Sequence, residues 1–217
     1  MKIIDGGVTA AKGFKAAGMH AGIKKGTKKD MAMIVSSAPC MAAGTFTTNL
    51  VKAAPVKWDQ HVVYEHGEAR AVVVNSGIAN ACTGAEGYGY CEETAKAAAE
   101  ALGIDKDEVL VASTGVIGKQ LPIDTIKKGV KDLSGLLLDT REAATLAAES
   151  IITTDTVKKE VAVEVEIGGK TVTIGGMCKG SGMIHPNMCT MLSFLMTDAA
   201  ISKEMLQKAL SADVDDT

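Results

Sequence analysis

The chain predicts a layered α+β or α/β fold, and three observations carry the prediction. Short β-branched runs recur at Ala32 to Ser36, Ala71 to Asn75 and Val109 to Ser113, each read as a buried strand. Helix-period segments stand between and after them. The period then changes to two over Val161 to Ile174. Strands and helices mix without strict βαβ alternation, so layered sheets with helices are the expected class.

The elements follow in order. Glu92 to Leu102 is alanine-rich and helix-forming, with Gly103 as its C-cap. Pro122 starts a helical segment through Leu133. Arg141 to Ile152 carries apolar residues at helical spacing. Val161, Val163, Val165 and Ile167 alternate with Ala162, Glu164 and Glu166; Gly168-Gly169 and a second β-branched run to Ile174 complete a hairpin. Met191 to Met196 is a near-continuous apolar strand. Ser202 caps a last amphipathic helix, Lys203 to Leu210. The run Ser211 to Thr217 shows no closing strand, and it reads as an interrupted rather than a finished chain.

Composition narrows the function classes. The 217 residues suit one large domain or two small ones. Hydrophobic residues make up 47% and charged residues 23%, as in a folded globular protein. Aromatics at 3% offer few platforms for stacking bases. Net charge is −3 with no basic stripe, which argues against nucleic acid and anionic membranes as partners. The pairs Lys24-Lys25 and Lys28-Lys29 read as a solvated turn. No run reaches the roughly 18 apolar residues of a spanning helix, and the N-terminal residues lack a secretory apolar region. Cys40, Cys82, Cys91, Cys178 and Cys189 are odd in number and form no CxxC pair. They suggest neither disulfides nor zinc, but small buried hydrophobes in a reducing cytosol. His20, His61, His66 and His185 are scattered, so no metal site is expected.

Four glycine-punctuated polar segments follow or end apolar elements: Ala43 to Asn49, Val74 to Gly84, Ala112 to Gly118 and Ile152 to Thr156. Loops at strand ends are where sites usually sit, although any tight turn has this chemistry. None ends in the Lys-Ser/Thr of a phosphate loop and none matches GxGxxG. At the end of its strand, the Thr114 hydroxyl and the Gly115 N–H can jointly face a carbonyl oxygen, as oxyanion-hole donors do. The segment Lys179 to Leu192 places Thr190 after Gly180 and Gly182 and before an apolar run. Cutting the Cys189–Thr190 bond would free an amine with a pKa near 8 beside the Thr190 hydroxyl, the arrangement of an N-terminal nucleophile. A threonine that opens a buried strand beside a loop explains the same residues, because β-branched residues favour strands anyway.

Taken together, Gly44-Thr-Phe-Thr-Thr-Asn49, Asn75-Ser-Gly-Ile-Ala-Asn-Ala-Cys-Thr-Gly84, Ser113-Thr-Gly-Val-Ile-Gly118, Thr153-Thr-Asp-Thr156 and Lys179 to Leu192 resemble the ArgJ family, the ornithine acetyltransferases of arginine biosynthesis. The resemblance runs along the whole chain. It implies a sandwich of two sheets covered by helices, similar to the N-terminal-nucleophile hydrolases. It implies self-cleavage at Cys189–Thr190, with residues 1–189 as an α-chain region and 190–217 as the start of a β-chain region. Thr190 would be the nucleophile, Thr114 and Gly115 the oxyanion donors, and Thr153, Lys179 and Thr190 the substrate contacts. The implied reaction takes acetyl from N2-acetyl-L-ornithine and passes it to L-glutamate. No cofactor is implied, although some members also take acetyl from acetyl-CoA, as substrate. The family further implies a cytoplasmic heterotetramer of two α and two β chains.

Two departures stand out. The family has alanine where this chain has Cys189. Family precursors also continue well beyond position 217, where they carry a substrate-binding glutamate and further polar residues. Two other readings therefore remain beside the acetyltransferase: an N-terminal-nucleophile amidohydrolase or aminopeptidase, and an inactive truncated remnant.

Overall fold

Among the described residues, two four-stranded sheets lie on either side of a helix. The computed structural model describes residues 1–181 and 191–216. The first sheet holds β2 (Phe14–Met19), β3 (Met31–Met41), β4 (Glu68–Ile78) and β5 (Val109–Val116), in that order. The second runs β1 (Lys2–Ile4), β6 (Lys159–Ile167), β7 (Lys170–Lys179), β8 (Leu192–Thr197). Every pairing is antiparallel except β4 with β5. That parallel pair needs a crossover, and α2 (Gly84–Leu102) supplies it.

Strand alternation divides the first sheet's side chains between two cores. Met31, Met33, Val73, Val109 and Val111 join one buried cluster with Trp58, Ala95, Ala98, Ile126 and Leu133. These come from α1 (Ala54–His61), α2 and α3 (Ile123–Ser134), which cover that face. Ala32, Ile34, Val72, Val74 and Ala112 face the other way. There they meet Ala144, Ala147, Ala148 and Ile151 of α4 (Arg141–Ile151), together with Met177 of β7. Small residues permit the close approach. A Cβ on Gly18 of β2 would stand 2.1 Å from the Leu146 carbonyl oxygen, so only glycine lets α4 lie against that strand.

The two-sheet layering agrees with the sequence reading, with the refinement that α4 is sandwiched rather than applied outside. The hairpin is present and longer than expected. Ile167 pairs with Lys170 across Gly168 and Gly169, whose φ values of 58° and 76° make the two-residue turn that fits strand twist. Gly103 caps α2 at φ 68°, and Ser202 Oγ accepts from the Met205 amide at 3.4 Å. The last helix, α5 (Lys203–Asp216), outruns its expected end at Leu210. Further elements were not expected from sequence: β1, β2, α1 with the π turn Val62–His66 that follows it, and the first two turns of α2. The glycines at 84, 87 and 89 made that start look like loop.

Two corrections concern side chains. Cys82 is exposed with φ 58°, and of the four described cysteines Cys91 alone is fully buried, so the reading of all five as buried hydrophobes does not hold. Lys25 and Lys28 are exposed as expected, but Lys24 is only half-exposed. Its stem packs beside Gly77, and its ammonium donates to the carbonyls of Ile152 at 2.7 Å and Lys29 at 3.0 Å. No helix among the described residues is long and apolar enough to cross a membrane.

Candidate active site

The candidate residues meet where strand ends from both sheets converge. On β5, Ala112 points into the space between the sheets, and by alternation so does Thr114. On β7, Met177 points inward, and so does Lys179. The Lys179 Nζ donates to Thr114 Oγ1 at 3.3 Å. Both are buried, with 2% of Lys179 and 9% of Thr114 exposed.

Gly115 follows Thr114 at φ 135° and pairs with Gly77 of β4. A Cβ there would sit 2.3 Å from the Gly77 carbonyl carbon, so no other residue fits without parting the two strands. Gly115 is itself exposed, which leaves this backbone approachable beside the Thr114 hydroxyl. Neighbouring polar bonds stiffen the strand ends. Ser113 Oγ donates to Asn75 Oδ1 at 2.6 Å, and Ser76 Oγ donates to the Ser150 carbonyl at 2.5 Å. The second of these ties β4 to the last turn of α4.

Thr153 stands just past that turn. Its amide donates to Asp155 Oδ2 at 3.3 Å. Asp155 Oδ1 accepts from the Gly180 amide at 2.8 Å and from Lys159 Nζ at 2.6 Å. The Lys159 Nζ also donates to the Gly180 carbonyl at 2.9 Å. Thr153, Thr114, Gly115 and Lys179 therefore belong to one connected constellation, joined to Lys24 through the Ile152 carbonyl.

The electrostatics are those of a cation-rich, partly buried cluster. Burial holds Lys179 below the usual lysine range; Asp155 works against this and Lys159 adds to it. Lys24 is likewise lowered, by burial first and then, against the pull of Asp30, by Lys28 and Lys179. Burial opposes the Asp155 charge, yet hydrogen bonds from Lys159, Gly180 and Thr153 outweigh it and hold the carboxyl well below its usual range. Among the described residues neither Lys24 nor Lys179 is ion-paired with a carboxylate. Such a pair of desolvated ammonium groups suits an anionic ligand.

Cys189 and Thr190 lie outside the described residues. The chain re-enters the sheet at Leu192, whose register partner is Lys179. Of the other quoted motifs, Gly44 bonds α5 in both directions, through its amide to Gln207 Oε1 at 3.1 Å and its carbonyl from Gln207 Nε2 at 3.2 Å. A groove of about 340 Å³, lined among others by Lys159, Val161, Gly176, Cys178, Ser193 and Leu195, touches the constellation through Lys159 but holds none of Thr114, Gly115, Thr153 and Lys179. Sequence reasoning missed Lys24, Asp155 and Lys159. Only Asp155 carried a signal, its place inside the motif Thr153 to Thr156.

Known proteins resemble this chain in sequence and fold. The ArgJ family model matches residues 15–217. The arginine biosynthesis bifunctional protein ArgJ of Symbiobacterium thermophilum is 53% identical over 217 residues, covering 99% of this chain and 53% of that protein. The chain thus spans about half the length of the curated relatives it matches. The crystal structure of the ArgJ protein from Bacillus halodurans superposes with a TM-score of 0.82 at 45% identity, over 88% of this chain and 97% of that one. Ornithine acetyltransferase from Mycobacterium tuberculosis, solved with ornithine, gives a TM-score of 0.80 at 42% identity, over 90% and 99%. An aminopeptidase of Ochrobactrum anthropi, described as a variant of the Ntn hydrolase fold, shares the fold alone, at 11% identity and a TM-score of 0.52 over 96% of this chain and 68% of that one. With the Thr114-Gly115 strand end, the Thr153 loop and Lys179 gathered at one place and the family model matching nearly end to end, the chain belongs to the ArgJ family.

Proposed function

We propose that the chain is the amino-terminal part of an acetyltransferase that carries acetyl from N2-acetyl-L-ornithine to L-glutamate. Residues 1–189 would form the α-chain region, and residues from Thr190 onward the start of the β-chain. The observation that supports this best is the buried Lys179–Thr114 contact beside the Gly115 backbone. A cation for a carboxylate and two donors for a developing oxyanion then stand within one site.

The chemistry divides into three steps. In self-cleavage, the Thr190 hydroxyl attacks the Cys189 carbonyl, the acyl group shifts from nitrogen to oxygen, and water hydrolyses the ester. This leaves a Cys189 carboxylate and a free Thr190 amine. In the first transfer, that amine takes the hydroxyl proton as Thr190 Oγ attacks the acetyl carbonyl. Thr114 Oγ1 and the Gly115 N–H would donate to the resulting oxyanion, a contribution of about 3 kcal/mol per donor in comparable sites. The proton passes to the departing ornithine nitrogen, and an acetyl-threonine ester remains. In the second transfer, the glutamate amine attacks that ester, its proton returns to Thr190, and N-acetylglutamate leaves. Lys179 and the Thr153 loop would hold the amino-acid part of both substrates. No cofactor enters these steps. Acetyl-CoA is proposed as a second acetyl donor, in keeping with the word bifunctional in the names of the relatives. The proposed setting is a cytoplasmic assembly of two α and two β chains.

The test is a product assay on the full-length protein with acetylornithine, with and without glutamate. Ornithine and N-acetylglutamate in equal amounts support the transferase. Free acetate formed at the same rate without glutamate would instead mark an N-terminal-nucleophile hydrolase. No product at all would mark an inactive remnant.

A further inference from the structure

We infer that Asp155 and Lys159 act as a positioning clamp, fixing the backbone of Gly180 against the Thr153 loop so that Lys179 is held in its substrate-binding place. The inference rests on the proposed function for Lys179. Neither clamp residue is among those the family resemblance marks for the site.

The register shows why a clamp is needed. Lys159, the first residue of β6, is paired with Cys178 of β7. Lys179 and Gly180 therefore run past the end of β6, and among the described residues no strand pairs with them on that side. On the other side, Lys179 pairs with Leu192 of β8. Two side chains take over where the ladder stops. Asp155 Oδ1 accepts the Gly180 amide at 2.8 Å, and Lys159 Nζ donates to the Gly180 carbonyl at 2.9 Å. The two side chains are joined to each other at 2.6 Å. Both backbone groups of the residue that follows Lys179 are thus tied to one ion pair.

The second oxygen of Asp155 gives the clamp its reach. Oδ2 accepts the Thr153 amide, so one carboxylate spans the end of α4 and the end of β7. Its side chain is fully buried, whereas Lys159 keeps 39% of its side chain exposed. With one partner buried and the other half in solvent, the pair is weak evidence of stability, because desolvation of the Asp155 charge cancels much of the attraction. Its geometric effect is larger, since a misplacement of about 1 Å at a binding group can cost about a hundredfold in rate. The Asp155 charge also supports the protonated form of Lys179 against its burial.

The experiment compares Asp155→Asn, Lys159→Met and Lys159→Arg with the unaltered full-length protein, by steady-state kinetics and by amide hydrogen exchange at Gly180. A clamp predicts that Asp155→Asn and Lys159→Met raise the KM for acetylornithine about tenfold or more while kcat falls less. It also predicts that Lys159→Arg recovers most of the loss, and that the Asp155→Asn/Lys159→Met pair costs no more than the worse single change. Gly180 exchange should quicken at least tenfold in both damaging variants, with the β6 amides unchanged. A fall in kcat alone at constant KM would overturn the inference, because that is what a smaller folded fraction produces. Unchanged Gly180 exchange would overturn it as well. If the unaltered protein transfers no acetyl, the functional reading fails instead, and the exchange data alone decide whether the clamp exists.

Discussion

Lys179 and Thr114 come from different sheets, and their side chains meet at 3.3 Å in the layer between them. The contact depends on strand parity at both ends. A one-residue slip of either strand would turn its side chain to the opposite face. The same parity places Met177 and Ala112 in the core beneath them, so the packing that holds the sheets together also sets the contact.

Thr114→Val keeps the shape and removes the hydroxyl. Loss of one oxyanion donor should lower kcat for acetyl transfer by about 10²- to 10³-fold. The melting temperature should also fall, because the buried Lys179 ammonium loses its acceptor, at a cost of about 1–3 kcal/mol. Stopped-time product assays and thermal melts on the same preparation check both halves. Gly115→Ala should destabilise for a different reason. The close approach to Gly77 and the positive φ predict a destabilisation of about 2 kcal/mol or more, visible as an early melt.

Lys179→Met should bind substrate poorly yet leave the protein at least as stable. Burial lowers the folded-state pKa of Lys179 from the ordinary 10.5, so at neutral pH the folded chain carries the cost of a desolvated charge. As pH rises through the lowered value toward 10.5, the folded lysine loses its proton and that cost disappears. The stability gain of the variant over the parent should therefore be largest near pH 7 and close toward pH 10.5 in a series of chemical denaturation curves. A gain that grew with pH would contradict the assignment.

Asp155 and Glu160 should make the protein acid-sensitive. Both stay ionised in spite of burial, Asp155 through Lys159, Gly180 and Thr153, and Glu160 through Arg141 and Lys158. Arg141 holds Glu160 in a two-pronged pair at 2.8 and 2.9 Å. Their folded-state pKa values lie below the ordinary 3.8 and 4.5, so the stability they contribute is complete above those values and is lost as pH falls below them. Melting temperatures followed from pH 6 down to pH 2 should drop more steeply for the parent than for Glu160→Gln.

Asp59 has the opposite sign. Burial raises its carboxyl well above the ordinary 3.8, against the hydrogen bond it accepts from the Val111 amide at 2.8 Å. The raised value costs stability as pH climbs above 3.8. Asp59→Asn keeps an acceptor for Val111 without a titrating charge. It should melt higher than the parent at pH 7, with the difference fading toward pH 4.

The hairpin of β6 and β7, the Gly103 cap and the buried runs of β3, β4 and β5 were legible because each rests on a local rule of alternation, turn chemistry or propensity. The start of α2 was not, because Gly84, Gly87 and Gly89 are weak helix formers held by tertiary packing. Gly87, for instance, lies against Asn80 and Thr83 too closely for a side chain. β2 was illegible for a similar reason, since Phe14 to Met19 contains Gly18 and two alanines whose strand role appears only with α4 against them. In the site, the motifs named Thr114, Gly115, Thr153 and Lys179, but their meeting is a long-range event. Lys24 was misread because a charge run carries no mark of the carbonyls that will cover it.

Under the proposed function, Thr190 carries the acetyl group. The most direct measurement is peptide mass analysis of the full-length protein after incubation with acetylornithine alone. The expected result is a peptide that begins at Thr190 and bears one acetyl group on its hydroxyl, discharged to N-acetylglutamate when glutamate is added. An intact Cys189–Thr190 bond in protein that still transfers acetyl would contradict it.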